Sequence, residues 1–151
     1  MHKTFYASGF LYRPKSAQIL LQQVVNKLSG SSSWSIVCGI NKKEERAHSA
    51  FQRIIYEVLK IKLKSDLIYP VYDYFHNGDN MLHYVFYAEV DEKQTFKTSK
   101  DSNFSWFAFK QIPKLVCNTQ TKQDIVVADR VIKLKIRETQ AKNVYPKEIN
   151  Q

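Results

Sequence analysis

Apolar residues recur with two different periods along this chain, and the change of period separates the predicted elements. Runs rich in β-branched and aromatic residues are typical of strands. A short strand begins at Trp34, and longer runs predict strands over residues 4–12, 18–25, 67–75, 81–90 and 104–109. Asn77 and Gly78 separate two of these runs, and an Asn-Gly pair in such a place predicts a tight hairpin.

Helical spacing of apolar residues occurs at two places. Over residues 46–59 the apolar positions form one broad face, which predicts a helix of about four turns packed on a sheet. Over residues 124–138 the apolar positions predict a second amphipathic helix, whose outer side carries Lys133, Lys135 and Arg137. The polar residues from 141 onward predict a frayed C-terminal end.

Three predicted strands, a helix, three further strands and a second helix follow one another along the chain, which indicates an α/β protein. The chain has 151 residues, the size of one domain, and we assign residues 1–151 to a single domain. The expected architecture is a mixed sheet with the first helix on one side and the C-terminal helix on the other.

The charged residues before and within the first helix follow a recognisable spacing. Five residues separate Gly39 from Glu45, seven separate Glu45 from Arg53, and Glu57 follows one turn later. With apolar residues at positions 55 and 61, this frame resembles the Nudix box of the Nudix hydrolases. Trp34 also stands where these proteins often carry a tryptophan.

The resemblance implies the Nudix fold, in which a mixed β-sheet is sandwiched between helices. It implies hydrolysis of a nucleoside diphosphate linked to another group, with a nucleotide-like polyphosphate as substrate and Mg²⁺ or Mn²⁺ as cofactor. By the same resemblance, Glu57 is a metal ligand, Arg53 orients Glu57, and Glu45 holds an outer metal or a water. The backbone carbonyls of Cys38 and Gly39, in a loop before the helix, complete the metal shell.

The chain departs from the family pattern at the metal-binding face of the helix. Positions 54, 57 and 58 share one helical face, and the family carries carboxylates there, whereas this chain has Ile54 and Val58. A single carboxylate competes poorly with water for Mg²⁺, which dehydrates reluctantly. Gln22 and Gln23 stand where many family members have an arginine near phosphate, and Lys60 replaces the usual glycine after the helix.

Three functions therefore stay open on the sequence. The first is a Nudix pyrophosphohydrolase that is weak or atypical because two glutamates are missing. The second is a catalytically inactive Nudix-fold module that binds a nucleotide, RNA or a protein. The third is electrostatic binding of nucleic acid, which rests on the formal net charge of +9. A solvated surface explains that charge equally well.

The alternative to these three functions is that the helix over residues 46–59 has a structural role only. Ile54 and Val58 are then core residues of a helix packed on a sheet. Arg53 and Glu57 then form a surface pair worth about 0.3 kcal/mol.

Two further groups of residues are candidates for chemistry. His76 and His83 flank the predicted hairpin turn with Asp73 and Asp79 nearby, which suggests either a metal site or a polar hairpin tip. In the family, an acidic residue from a later loop can act as base or extra ligand. The local candidates for that role are Glu89, Asp91, Glu92 and Asp101.

The composition also predicts the cellular location of the protein. No apolar run approaches about 18 residues, and the N-terminus lacks a long apolar segment, so we expect neither a membrane span nor a signal peptide. Cys38 and Cys117 lack the spacing of a metal site or a redox pair, so we expect reduced, buried thiols and a cytoplasmic location. The sequence leaves the substrate and the oligomeric state open.

Overall fold

One mixed sheet of seven strands forms the centre of the computed structural model, which describes residues 3–144. In chain order the strands are β1 (Phe5–Arg13), β2 (Gln18–Val25), β3 (Ser32–Ser35), β4 (Val37–Ile40), β5 (Ile68–His76), β6 (Met81–Glu89) and β7 (Asn103–Ala108). The helices are α1 (Ala47–Leu59) and α2 (Thr119–Val144), with short 3-10 turns at Ser65–Leu67 and Phe109–Lys114.

Strand β1 is the central strand, and the sheet divides along its length. It runs parallel to β6 from Phe5 to Tyr12 and antiparallel to two strands on its other side. The first half of β1 pairs with β4, where Tyr6 lies opposite Ile40, and the second half pairs with β2, where Leu11 lies opposite Leu20. Because β4 pairs with the central strand, the chain enters α1 from the middle of the sheet, and α1 packs there.

Close packing at this centre depends on Gly9 of β1. A Cβ atom at this position would lie 2.0 Å from the carbonyl oxygen of Phe86 in β6 and 2.7 Å from the ring of Phe51 in α1. Carbon and oxygen atoms cannot approach so closely, so only glycine lets β1, β6 and α1 meet at these distances.

Each face of the sheet is covered by one helix, as the sequence predicted. On one face, α1 buries Ala50, Phe51, Ile54, Ile55 and Leu59 against the sheet. On the other face, α2 buries Ile125, Ala128 and Ile132 against Phe10, Val85 and Tyr87. The mixed sheet between helices is therefore confirmed. None of the helices within residues 3–144 is long and apolar enough to cross a membrane.

Several expectations about element boundaries were wrong. The strand from Trp34 is two strands, β3 and β4, because β3 pairs with β2 and β4 pairs with β1. Gly39 lies inside β4, opposite Ala7, and not in a loop. Cys38 is exposed and Cys117 is half-buried, so neither thiol is fully buried as expected.

The C-terminal helix is longer than its apolar pattern predicted. It starts at Thr119, where the side chain of Asn118 accepts a hydrogen bond of 2.7 Å from the amide of Thr121, a typical helix cap. It continues to Val144, so residues 141–144 are helical and not frayed, and the rest of the predicted frayed end, 145–151, lies outside the described residues. Lys135 also does not lie on the outer side, because its ammonium sits over the ring of Tyr69 and contacts Glu89 at 3.2 Å.

Candidate functional site

The side chain of Glu45 closes the loop that precedes helix α1. Arg46, in extended conformation, occupies the cap position and makes no side-chain cap bond. Instead, the carboxylate of Glu45 accepts a hydrogen bond of 2.9 Å from the amide of Lys42, which closes the loop before the helix. At the other end Lys60 adopts a left-handed conformation with φ 59° and donates its amide to Tyr56. Lysine there costs about 1 kcal/mol relative to glycine.

The three charged residues of the box frame meet in one network around Arg53. Its guanidinium contacts Glu45 at 2.8 and 2.9 Å and Glu57 at 3.0 Å. A further N–H donates to the carbonyl of Ile40 at 2.9 Å. Arg53 thereby joins the end of β4, the loop and the helix, because its planar donors fit several acceptors at once.

The electrostatics of this network favour the charged forms of Glu45 and Arg53. The hydrogen bond from Arg53 is the main reason why the pKa of Glu45 lies below its ordinary value, and burial opposes it. The same bond to Glu45 raises the pKa of Arg53 despite burial. Glu57 is the most exposed of the three, with 52% of its side chain accessible. The structure thus brings Glu45, Arg53 and Glu57 together, and their roles in catalysis stay predictions.

Ile54 and Val58 belong to the hydrophobic core. Ile54 is 4% exposed and packs on Gly39, where a Cβ atom would lie 2.7 Å from its Cδ1. Val58 is partly buried against the same core, together with Phe104 and Trp106 of β7. The two positions where the family places metal-binding carboxylates are therefore filled by packed aliphatic side chains.

Few oxygen ligands are available for a magnesium ion at α1. Glu57 offers one carboxylate, which already accepts a hydrogen bond from Arg53. Cys38 and Gly39, whose carbonyls were expected to complete the shell, lie in β4 opposite Ser8 and Ala7. Mg²⁺ requires near-octahedral oxygen coordination, usually with at least one or two carboxylates plus phosphate oxygens. The donor set at α1 does not fit an ordinary Nudix magnesium centre.

Three of the four acidic candidates for a base make their contacts elsewhere. Glu89 lies on the α2 side of the sheet and contacts Lys135. Glu92 accepts hydrogen bonds of 2.8 and 2.9 Å from the amide and hydroxyl of Ser16. Asp91 accepts a bond of 2.9 Å from the amide of Lys93 within its own turn. We find no contact between these three carboxylates and the Arg53 network among residues 3–144.

The other face of the sheet holds a buried carboxylate that the sequence did not predict. Asp124 in the first turns of α2 is 3% exposed and accepts hydrogen bonds from the hydroxyl of Tyr72 and, at 2.9 Å, from Gln120. Burial raises the pKa of Asp124, and the bond from Tyr72 opposes that rise. The sequence feature that could have indicated this burial is the position of Asp124 on the apolar side of the helix, next to Ile125 and one turn before Ala128.

The hairpin tip brings together three of its four polar candidates. His76, Asp79 and His83 each offer a ligand atom, and these atoms lie within 4.8 Å of one another. Asp73 is exposed and does not belong to the cluster. The strand alternation explains the difference, because Asp73 points away from the face that carries Tyr74 and His83.

Solved structures with the same fold include proteins that carry Nudix names. A MutT/nudix family protein from Listeria innocua superposes with a TM-score of 0.68 at 15% identity, covering 90% of this chain and 98% of that chain. The E. coli ORF135 protein gives a TM-score of 0.67 at 14% identity, with 87% and 91% covered.

A third structure was solved with a ligand. The NUDIX domain of Shewanella oneidensis NrtR, complexed with ADP ribose, gives a TM-score of 0.66 at 12% identity, covering 87% of this chain and 90% of that chain. No protein-family model and no curated protein matches this sequence. The likeness in structure extends over nearly the whole chain, and we conclude that this protein has the Nudix fold.

Proposed function

We propose that this protein is a Nudix-fold module that binds a nucleotide-like diphosphate and does not hydrolyse it by magnesium chemistry on α1. The observation that carries the proposal is the packing of Ile54 on Gly39 within the core. A carboxylate cannot replace this side chain without being buried, and Val58 beside it is also packed. Glu57 alone gives Mg²⁺ too few oxygen ligands.

Two observations support a diphosphate as the ligand. The NrtR domain, which shares the fold, was crystallised with ADP ribose. The formal net charge of +9 raises the local concentration of polyanions around the protein. Because fold alone does not fix function, the ligand class has to be tested directly.

Calorimetric titration with ADP-ribose tests the proposal. We expect binding with a Kd of about 100 µM or tighter, and the same Kd within about twofold in EDTA and in millimolar Mg²⁺. Ribose without phosphate is the matched control and should not bind measurably. Absence of ADP-ribose binding would contradict the ligand class, whereas binding that requires Mg²⁺ would contradict the metal-independent site.

A weak hydrolase is the second candidate, and one observation favours it. The Glu45–Arg53–Glu57 network is intact, and Glu57 is half exposed, so it can reach a metal-bound substrate. In this function Glu57 would hold Mg²⁺ or Mn²⁺ with the carbonyls of Cys38 and Gly39, and the substrate phosphates would supply the other oxygens. The metal would polarise the phosphate and activate water.

We also propose a cytoplasmic location. Both cysteines of the chain are free, and Cys38 is exposed. Free thiols persist in a reducing compartment, whereas secreted domains usually pair them.

A further inference from the structure

The hairpin between β5 and β6 places three metal-ligating side chains on one face. His76 ends β5 opposite Met81, and His83 lies opposite Tyr74, two residues before His76. Residues two apart on a strand share a face, so both imidazoles lie on the same side of the hairpin. Asp79 sits in the turn between them and contacts both rings.

The distances within this cluster suit a small transition-metal ion. Asp79 lies 2.8 Å from Nε2 of His83 through one carboxylate oxygen and 3.5 Å from Nδ1 of His76 through the other. Ligand atoms about 2.1 Å from a tetrahedral ion are about 3.4 Å apart. The side chains therefore need only small movements to hold an ion together.

His83 is fixed in place by the sheet. Its ring lies between those of Tyr6 and Tyr74, with centroid distances of 4.8 and 5.0 Å and interplanar angles of 29° and 12°. Only 12% of the His83 side chain is accessible. Stacking on both faces leaves the ring edge, with Nε2, directed at Asp79. A ligand held in this way loses little freedom when a metal binds.

His76 and Asp79 are positioned by the turn. A Cβ atom at residue 78 would lie 2.5 Å from Cε1 of His76, so the imidazole rests on Gly78. The carboxylate of Asp79 accepts a hydrogen bond of 3.0 Å from the amide of Met81. The amide of Asp79 donates to Nδ1 of His76 at 3.1 Å, a bond that a metal on this atom displaces.

We propose that His76, Asp79 and His83 form a binding site for a divalent transition-metal ion of the zinc class. Two imidazoles and one carboxylate are ligands that Zn²⁺ accepts, whereas Mg²⁺ prefers oxygen ligands throughout. Three protein ligands leave one tetrahedral position open to water or an anion. The site is separate from the Arg53 network, since it is built on the β5–β6 hairpin and not on α1, and it does not depend on the proposed ligand.

Calorimetric titration of the whole protein with Zn²⁺ in a non-chelating buffer tests this site. We expect one ion per chain with a Kd of about 10 µM or tighter. His76→Gln and Asp79→Asn should each weaken the affinity about tenfold or more. Thermal unfolding should show that Zn²⁺ raises the Tm of the native protein more than the Tm of these variants.

Two control variants exclude other ligands. His48→Gln removes an imidazole of α1 that contacts Ser65, and Cys38→Ser removes an exposed thiol, so both should bind Zn²⁺ as the native protein does. Failure of the native protein to bind below about 1 mM Zn²⁺ would overturn the proposal. Equal affinity in native protein, His76→Gln and Asp79→Asn, or loss of binding in Cys38→Ser, would also overturn it.

Discussion

Gly9→Ala should destabilise the protein by about 3 kcal/mol, lowering the Tm by about 10 °C. The added methyl group would lie 2.0 Å from the backbone oxygen of Phe86, which belongs to the parallel pair of β1 and β6. A backbone atom in the middle of a sheet cannot turn aside as a side chain can. The strands must separate, and Phe51 of α1 must move with them. Chemical denaturation followed by circular dichroism measures the loss.

Gly39→Ala is the matched control for this prediction. Its methyl group would meet Cδ1 of Ile54 at 2.7 Å, which is the flexible end of a side chain. We expect a loss of about 1 kcal/mol, partly recovered by Ile54→Val in the same chain. If Gly9→Ala is no more destabilising than Gly39→Ala, then the approach of β1, β6 and α1 is looser than the structure shows.

Restoring the two missing carboxylates should destabilise the fold and should not create an enzyme. Ile54→Glu places a charge at a side chain that is 4% exposed, and we expect a cost of about 3 to 5 kcal/mol. Val58→Glu should cost less, because Val58 is only partly buried. The free energy of unfolding of each single variant and of the pair measures these costs, with and without Mg²⁺.

Two further variants control for size and for charge. Ile54→Val keeps the site apolar and should cost about 1 kcal/mol. Glu57→Gln changes a half-exposed residue on the same turn and should change stability little. A double glutamate variant that is as stable as the native protein and gains magnesium-dependent turnover would show that an open metal cleft exists beside α1.

The first helix was predicted well from the sequence. Apolar periodicity predicted a helix over 46–59, and the observed helix is Ala47–Leu59. The spacing also predicted that Arg53 pairs with Glu57, which it does, whereas its contact with Glu45 was not predicted. These features depend on spacing within one helix and its preceding loop, which a sequence displays directly.

The features that the sequence did not predict depend on contacts between distant segments. Whether the stretch from Trp34 forms one strand or two is decided by its separate partners β2 and β1. The buried carboxylate of Asp124 accepts a hydrogen bond from Tyr72 of β5, which is distant in sequence. The orientation of His83 is set by Tyr6, which is distant in sequence. Local propensity carries no information about such neighbours.

In the proposed function, α1 contributes packing and not magnesium catalysis. The direct measurement is release of AMP from ADP-ribose over many hours in millimolar Mg²⁺, with native protein and Glu57→Gln compared at equal concentration. Glu57 is the one carboxylate of the box helix face, so its loss removes any residual metal site. We predict no turnover above the protein-free rate in either sample. Magnesium-dependent release of AMP by the native protein that falls at least about tenfold in Glu57→Gln would contradict the account.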